Sequence, residues 1–132
     1  MKTSYFSVLV LSLGVLTTIV EPVFAQENVK PKQFIYVLRL VSRLHDDKSW
    51  TESDKAAVDR HFNRLKDATK TGEVVLAGRT PESGDKTFGI VIFEAANEGA
   101  ARVFMNGDPA VVAGIMTAEL HPFGIALQRE KR

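Results

Sequence analysis

Apolar residues follow two rhythms along this chain. The first is strand-like. Gln33 to Val41 is rich in β-branched and aromatic residues and reads as a strand. Phe34, Tyr36, Leu38 and Leu40 share one face, and Ile35, Val37, Arg39 and Val41 share the other. Both faces are mainly apolar, so the strand should be covered on both sides. The second rhythm is helical. After a polar loop from Ser42 to Trp50, a helix should start near Thr51 or Ser53 and run to Lys70. Val58, Phe62, Leu65 and Thr69 fall on one stripe at helical spacing. Thr51 with Asp54 three residues on is an N-terminal capping pattern. Gly72 supplies the stop.

The remaining elements follow in order. Glu73 to Ala77 is a second strand, ending at Gly78, and Arg79 to Lys86 turns the chain with Pro81 and Gly84. Thr87 to Glu94 is a third strand, again apolar on both faces, and the short connection favours an antiparallel hairpin. Asn97 caps a second helix that runs to about Met105, with Ala100, Val103 and Phe104 on its apolar side. Asn106-Gly107 ends it, and Asp108-Pro109 opens a short turn or helix from Ala110 to Met116. Glu119 to Gln128 is the last strand, where Pro122 and Gly124 mark an edge or a bulge. The order β-α-β-β-α-β is the ferredoxin-like plan, an α+β fold with helices on one face of a sheet. Two helices cover only one face, yet the strands ask for cover on both. The simplest answer is a second copy of the sheet, a homodimer closed into a dimeric α+β barrel.

The first residues differ from the rest. Lys2 is the only charge before Glu21, Phe6 to Val20 is mostly apolar, and Val23-Phe24-Ala25 supplies small residues where a signal peptidase reads. The apolar run is short for a membrane span, which needs about 17–25 residues. The expected organisation is a secretory signal peptide over 1–25, a short tether over 26–32 and one domain over 33–128. The protein is then exported, periplasmic or secreted, and leaves the membrane once the signal is cleaved. No cysteine is present, so thiol catalysis, Cys-ligated metals and disulfides are excluded, and the core must suffice. With 17 Lys+Arg against 16 Asp+Glu, the chain has no electrostatic footprint for nucleic acid. The three histidines, His45, His61 and His121, have no spacing that signals a metal site.

Among the residues that carry chemistry, His61 lies on the flank of the helical stripe, with Ala57 and Ala68 beside it leaving room for the ring. It reads as a half-buried histidine bonded to a loop or as a general acid or base, since imidazole titrates near neutrality. Asp108 before Pro109 is a helix N-cap; a carboxylate there can also face an imidazole. Arg39, a charge inside an apolar strand, either binds an anionic ligand or reaches the sheet edge. Gly78 and Arg79 end a strand, where a backbone amide can meet a carboxylate or oxyanion.

Several segments together resemble the YCII-related domain family. His61 lies in RHFNRLKDATKTGEVVLAG, similar to the family's helical His followed by a Leu, a Gly, a strand and Ala-Gly. Gly89 to Ala95 follows, with Ala100 and Ala101 beyond. The most specific segment is NGDPAVVAGIMTAELHPF, with its Asp-Pro, Ala-Gly pair and closing acidic-x-x-Pro-Phe strand. The likeness runs from Phe34 to Leu127. It implies a ferredoxin-like dimeric α+β barrel, related in fold to muconolactone isomerases, and a His/Asp pair matched by His61 and Asp108. It further implies cofactor-free acid–base chemistry on a small organic molecule; the candidate substrate contacts, Arg39, Gly78 and Arg79, rest on the residues themselves. One departure is Arg79, where many members have Pro after the Gly; another is the signal peptide. Three functions remain open at this level: a cofactor-independent lyase- or isomerase-type enzyme, a ligand-binding module without turnover, and a dimeric structural or interaction module.

Overall fold

A computed structural model describes residues 30–129. The expected signal peptide, 1–25, and residues 26–29 of the tether lie outside the described residues. The elements are β1 (Lys32–Leu40), α1 (Glu52–Thr71), β2 (Val74–Arg79), β3 (Gly89–Ala95), α2 (Glu98–Asn106), α3 (Pro109–Val112) and β4 (Met116–Pro122). Short 3-10 turns at Ser42–His45, Asp47–Ser49 and Gly84–Lys86 fill the connections. The sheet order is β2-β3-β1-β4, and every neighbouring pair is antiparallel. With the expected β-α-β-β-α-β chain order, this is the ferredoxin-like α+β fold.

Alternation along β1 decides what the helices cover. Phe34, Tyr36 and Leu38 are buried beneath them, with Val91 and Phe93 of β3 beside. The core is aromatic at its centre. Phe93 stacks on Phe104 with centroids 4.7 Å apart, and Tyr36 meets Phe93 edge-on at 5.6 Å. Ile35, Val37, Ile90 and Ile92 form the opposite face; the strand register sets Ile35 against Ile92 and Val37 against Ile90. They are only half-buried in the single chain.

Helix α1 has both predicted ends. The Thr51 hydroxyl accepts from the Asp54 N–H, and the Asp54 carboxylate accepts from the Thr51 N–H in return, a complete capping box. Arg43 grips the same carboxylate through both guanidinium nitrogens at 3.0 and 2.8 Å. At the other end Gly72 has φ 88°, a left-handed turn that costs a side chain dearly.

Three expectations need correction. The buried stripe of α1 is Ala57, Leu65 and Ala68, whereas Phe62 is 64% exposed and Thr69 is also exposed. Small residues let the helix lie close to its neighbours: Ala57 packs with Leu44, Ala110 and Ile115, which leaves no place for a phenyl ring on that side. In α2 the inward residues are Ala101 and Met105, with Phe104 half-buried, while Val103 is 74% exposed and Ala100 exposed. The last strand starts three residues earlier than expected and ends at Pro122. Gly114, at φ 68°, turns the chain immediately after α3, so pairing with β1 begins at Met116 opposite Leu40. Pairing stops at Pro122 opposite Phe34, near where β1 itself begins.

Candidate functional site

The site is built where α1, the start of α3 and the buried face of β1 converge. The fixed ends of α1 set the position of His61 along the helix. On the other side, α2 ends with the Gly107 N–H on the Val103 carbonyl. A Cβ at Gly107 would sit 3.2 Å from that carbonyl oxygen, so the smallest residue relieves the crowding. Asp108 then caps α3: its Oδ1 accepts from the Ala110 N–H at 2.9 Å, and Pro109 takes the first helical position.

Asp108 does more than cap. His61 Nδ1 lies 2.8 Å from both carboxylate oxygens, across 47 positions of sequence. The Tyr36 hydroxyl donates to Oδ2 at 2.9 Å. Asp108 is 0% exposed, and the His61 side chain retains 13%. With Nδ1 facing a carboxylate, that nitrogen carries the hydrogen and Nε2 keeps the lone pair. Burial alone pushes the Asp108 carboxyl up, but the bond and charge of His61 reverse this. The Ala110 amide and Tyr36 hydroxyl add to the reversal, and the carboxyl is held below its ordinary range. The net effect is a buried carboxylate, anionic at neutral pH, behind the imidazole.

Tyr36 was legible as an inward-facing residue but not as part of the site; the available signal was one hydroxyl in an otherwise apolar buried row. Burial, then the adjacent Asp108 charge and hydrogen bond, raise its pKa far above the usual phenol value, while Arg64 pulls the other way. The hydroxyl is therefore a fixed neutral donor. Arg64 follows His61 by one turn of α1. Its guanidinium lies 4.1 Å from the Phe104 ring centroid and donates to the Phe104 carbonyl at 2.8 Å.

The structure brings His61 and Asp108 together and leaves the other singled-out residues elsewhere. Tyr36 and Arg39 are three apart on β1 and so face opposite sides of the sheet. The Arg39 guanidinium sits 5.4 Å above the Phe88 ring. Gly78 pairs with Ile90, on the side away from the helices. Gly78, Arg79, Thr80, Phe88 and Ile90 line a hollow of about 320 Å³ that touches neither His61 nor Asp108. Ala57 and Ala68 do not leave space beside the imidazole: both are packed into core clusters. His121 lies 3.5 Å from Glu119 on the exposed edge strand, opposite Ile35. Among the described residues there is no cluster of three or more His, Cys, Asp or Glu that could hold a metal, and no helix is long and apolar enough to cross a membrane.

A search of curated proteins finds no match to this chain. Among solved structures, one similar chain is the 5-chloro-2-hydroxyhydroquinone dehydrochlorinase of Burkholderia phenoliruptrix AC1100, in complex with 2,5-dihydroxybenzoquinone. The likeness has 17% identity and a TM-score of 0.45, and covers 69% of this chain and 93% of that one. The family model for the YCII-related domain matches residues 37–123, which contain β2, β3, β4, all three helices, His61 and Asp108. This chain belongs to the YCII-related domain family.

Proposed function

We propose that this protein handles a small organic molecule by cofactor-free acid–base chemistry, with His61 as the base and Asp108 as the group that orients it. One observation carries the reading: the Nδ1 side of His61 is held against a carboxylate that is itself fully buried and fixed by two further donors. Such a carboxylate fixes the tautomer, steadies the imidazolium that forms when Nε2 takes a proton, and frees Nε2 for substrate. The reaction class is proton abstraction at an activated carbon, leading to isomerisation or elimination. His61 then returns the proton or gives it to solvent.

The test begins with the native ligand. Protein purified from its host under mild conditions is analysed by mass spectrometry for a retained small molecule. That molecule is then incubated with the protein in D2O. Deuterium uptake with the unaltered protein, lost in His61→Gln, supports the base. Retention of the ligand with no uptake or conversion points instead to a binding module without turnover.

Two further parts of the reading belong to the whole protein. The chain is exported, with cleavage after Ala25, in keeping with its Lys2, Phe6–Val20 and Val23-Phe24-Ala25 pattern. Intact-mass measurement on protein made in its host checks this, and a mature species that keeps Phe6 overturns it. The domain also works as a homodimer, supported by the apolar sheet face that the helices leave uncovered.

A further inference from the structure

Behind the His61–Asp108 pair lies a second layer that an acid–base reading does not require. Tyr36 is fully buried, so its hydroxyl cannot touch a substrate, and it spends its hydrogen on Asp108. Next to it, Arg64 places one guanidinium nitrogen, Nη1, in the interior with no hydrogen-bond partner among the described residues. A buried guanidinium N–H without a partner forfeits its hydration and gains nothing in return, so an uncompensated one is rarely kept. Both side chains lean on one ring. Tyr36 meets Phe104 edge-on at 6.3 Å, and Arg64 lies over it at 4.1 Å. The other guanidinium nitrogen, Nη2, is anchored on the Phe104 carbonyl. Phe104 is thus a common neighbour of Arg64 and Tyr36.

We infer that Arg64, Tyr36, Asp108 and His61 form one buried chain in which Arg64 and Tyr36 are positioning residues that regulate how strongly Asp108 holds the imidazole. This deepens the proposed acid–base reading and rests on it. A phenol has one hydrogen and two lone pairs. In the inferred chain Arg64 Nη1, otherwise without a partner among the described residues, turns its hydrogen to the oxygen, and the hydroxyl hydrogen stays on Asp108 Oδ2. A phenol that accepts from a cation is a stronger donor, because hydrogen bonds in a chain polarise one another. The carboxylate therefore shares its charge between Tyr36 and His61, and the His61–Asp108 bond is weaker than it would be if His61 faced the anion without Tyr36. The device limits how far a fully buried anion can pull on the ring, and leaves Nε2 able to release its proton after each cycle.

The readout is the His61 Nδ1 proton in NMR spectra of the intact chain, since a shorter, stronger bond to carboxylate moves that resonance downfield. In Tyr36→Phe, which keeps the ring and its packing, the resonance should move downfield. In Arg64→Met, which keeps the stem over Phe104, it should move the same way by less. In the double variant the Arg64 change should add almost nothing, because Arg64 acts through the hydroxyl. In the unaltered protein a slowly exchanging Tyr36 hydroxyl proton should show a nuclear Overhauser contact to Arg64 Nη protons, which decides the Arg64 link even if Arg64→Met does not fold. An unmoved Nδ1 resonance in Tyr36→Phe overturns the chain, and full additivity or a missing Overhauser contact removes Arg64 from it. Failure of the parent reading looks different: no downfield Nδ1 resonance in the unaltered protein, or one that persists in Asp108→Asn.

Discussion

Asp108 makes contacts that a helix cap alone does not use. A cap needs one acceptor for an N–H near the helix start, and Ser serves as well as Asp there. The measured consequence should be a split between two kinds of substitution. Asp108→Ser keeps an acceptor for the Ala110 amide but leaves the buried Tyr36 hydroxyl and His61 Nδ1 without their anion. Loss of hydrogen bonds to a charged group should cost about 2 kcal/mol in urea unfolding. A cost within about 0.5 kcal/mol would mean that only the cap matters. The same residue sets a pH dependence. Its carboxyl is held below the ordinary value of 3.8 in the fold, so it binds a proton less readily folded than unfolded. The stability it contributes is complete above that ordinary value and is lost as the pH falls through the depressed one. Asp54 adds in the same direction, lowered first by the Arg43 guanidinium and then by Thr51. The urea midpoint should thus be level near neutrality and drop below about pH 4. Asp108→Asn should lie lower at neutral pH and fall less steeply in acid; a parallel profile would refute the role assigned to its charge.

At the scale of elements, end signals were more readable than faces. Thr51, Asp54 and Gly72 mark the ends of α1 because caps depend on side-chain chemistry within a few residues, and the structure has the box and the left-handed turn where the sequence puts them. The stripe was less readable. A helix with Val58, Phe62 and Leu65 near one line, and Ala57, His61 and Ala68 on its flank, offers two adjacent stripes, and hydrophobicity favours the larger residues. Close approach to α3 and the sheet selects the smaller ones. The last strand was misplaced because its apolar residues are sparse and its start is set by Gly114, whose positive φ leaves no mark beyond the residue type. His61 and Asp108 were legible as a pair partly through the family's motif order and partly through topology, since the segment leaving the second helix returns beside the first. Arg64 carried no local signal and Tyr36 only a hydroxyl in an apolar row, since their roles arise from which side of the sheet α1 crosses. These faces are testable by stability. Leu65→Ala should cost about 2–5 kcal/mol by opening a buried cavity. Phe62→Ala should stay within about 0.5 kcal/mol, as expected for an exposed site. A Phe62 loss comparable to that of Leu65 would restore the stripe read from hydrophobicity.

For the molecule as a whole, the unsatisfied element is the sheet face that the helices do not cover. A sheet with one solvated face normally alternates apolar and polar residues. Here the second face sets Ile35 against Ile92 and Val37 against Ile90 at the centre of the sheet, with Leu76 exposed at its side. Charged groups such as Arg39, Glu94 and Glu119 lie around that centre on the same face, by the same register. An apolar middle with a charged rim is the pattern of a surface made to meet another surface. Two copies of one sheet meeting about a two-fold axis satisfy it without any other partner. The homodimer we propose has a direct test. Light scattering at micromolar concentration should give twice the chain mass for the mature protein. Ile92→Lys places a charge at the middle of the apolar block without touching the helix-side core. It should give a folded monomer with an unchanged far-ultraviolet circular dichroism spectrum. The His61 Nδ1 resonance should persist in that monomer, because the His61–Asp108–Tyr36 contacts all lie within one chain. An unaltered protein that runs as a clean monomer would sink the dimer and leave the double apolar character of β1 and β3 without a cause.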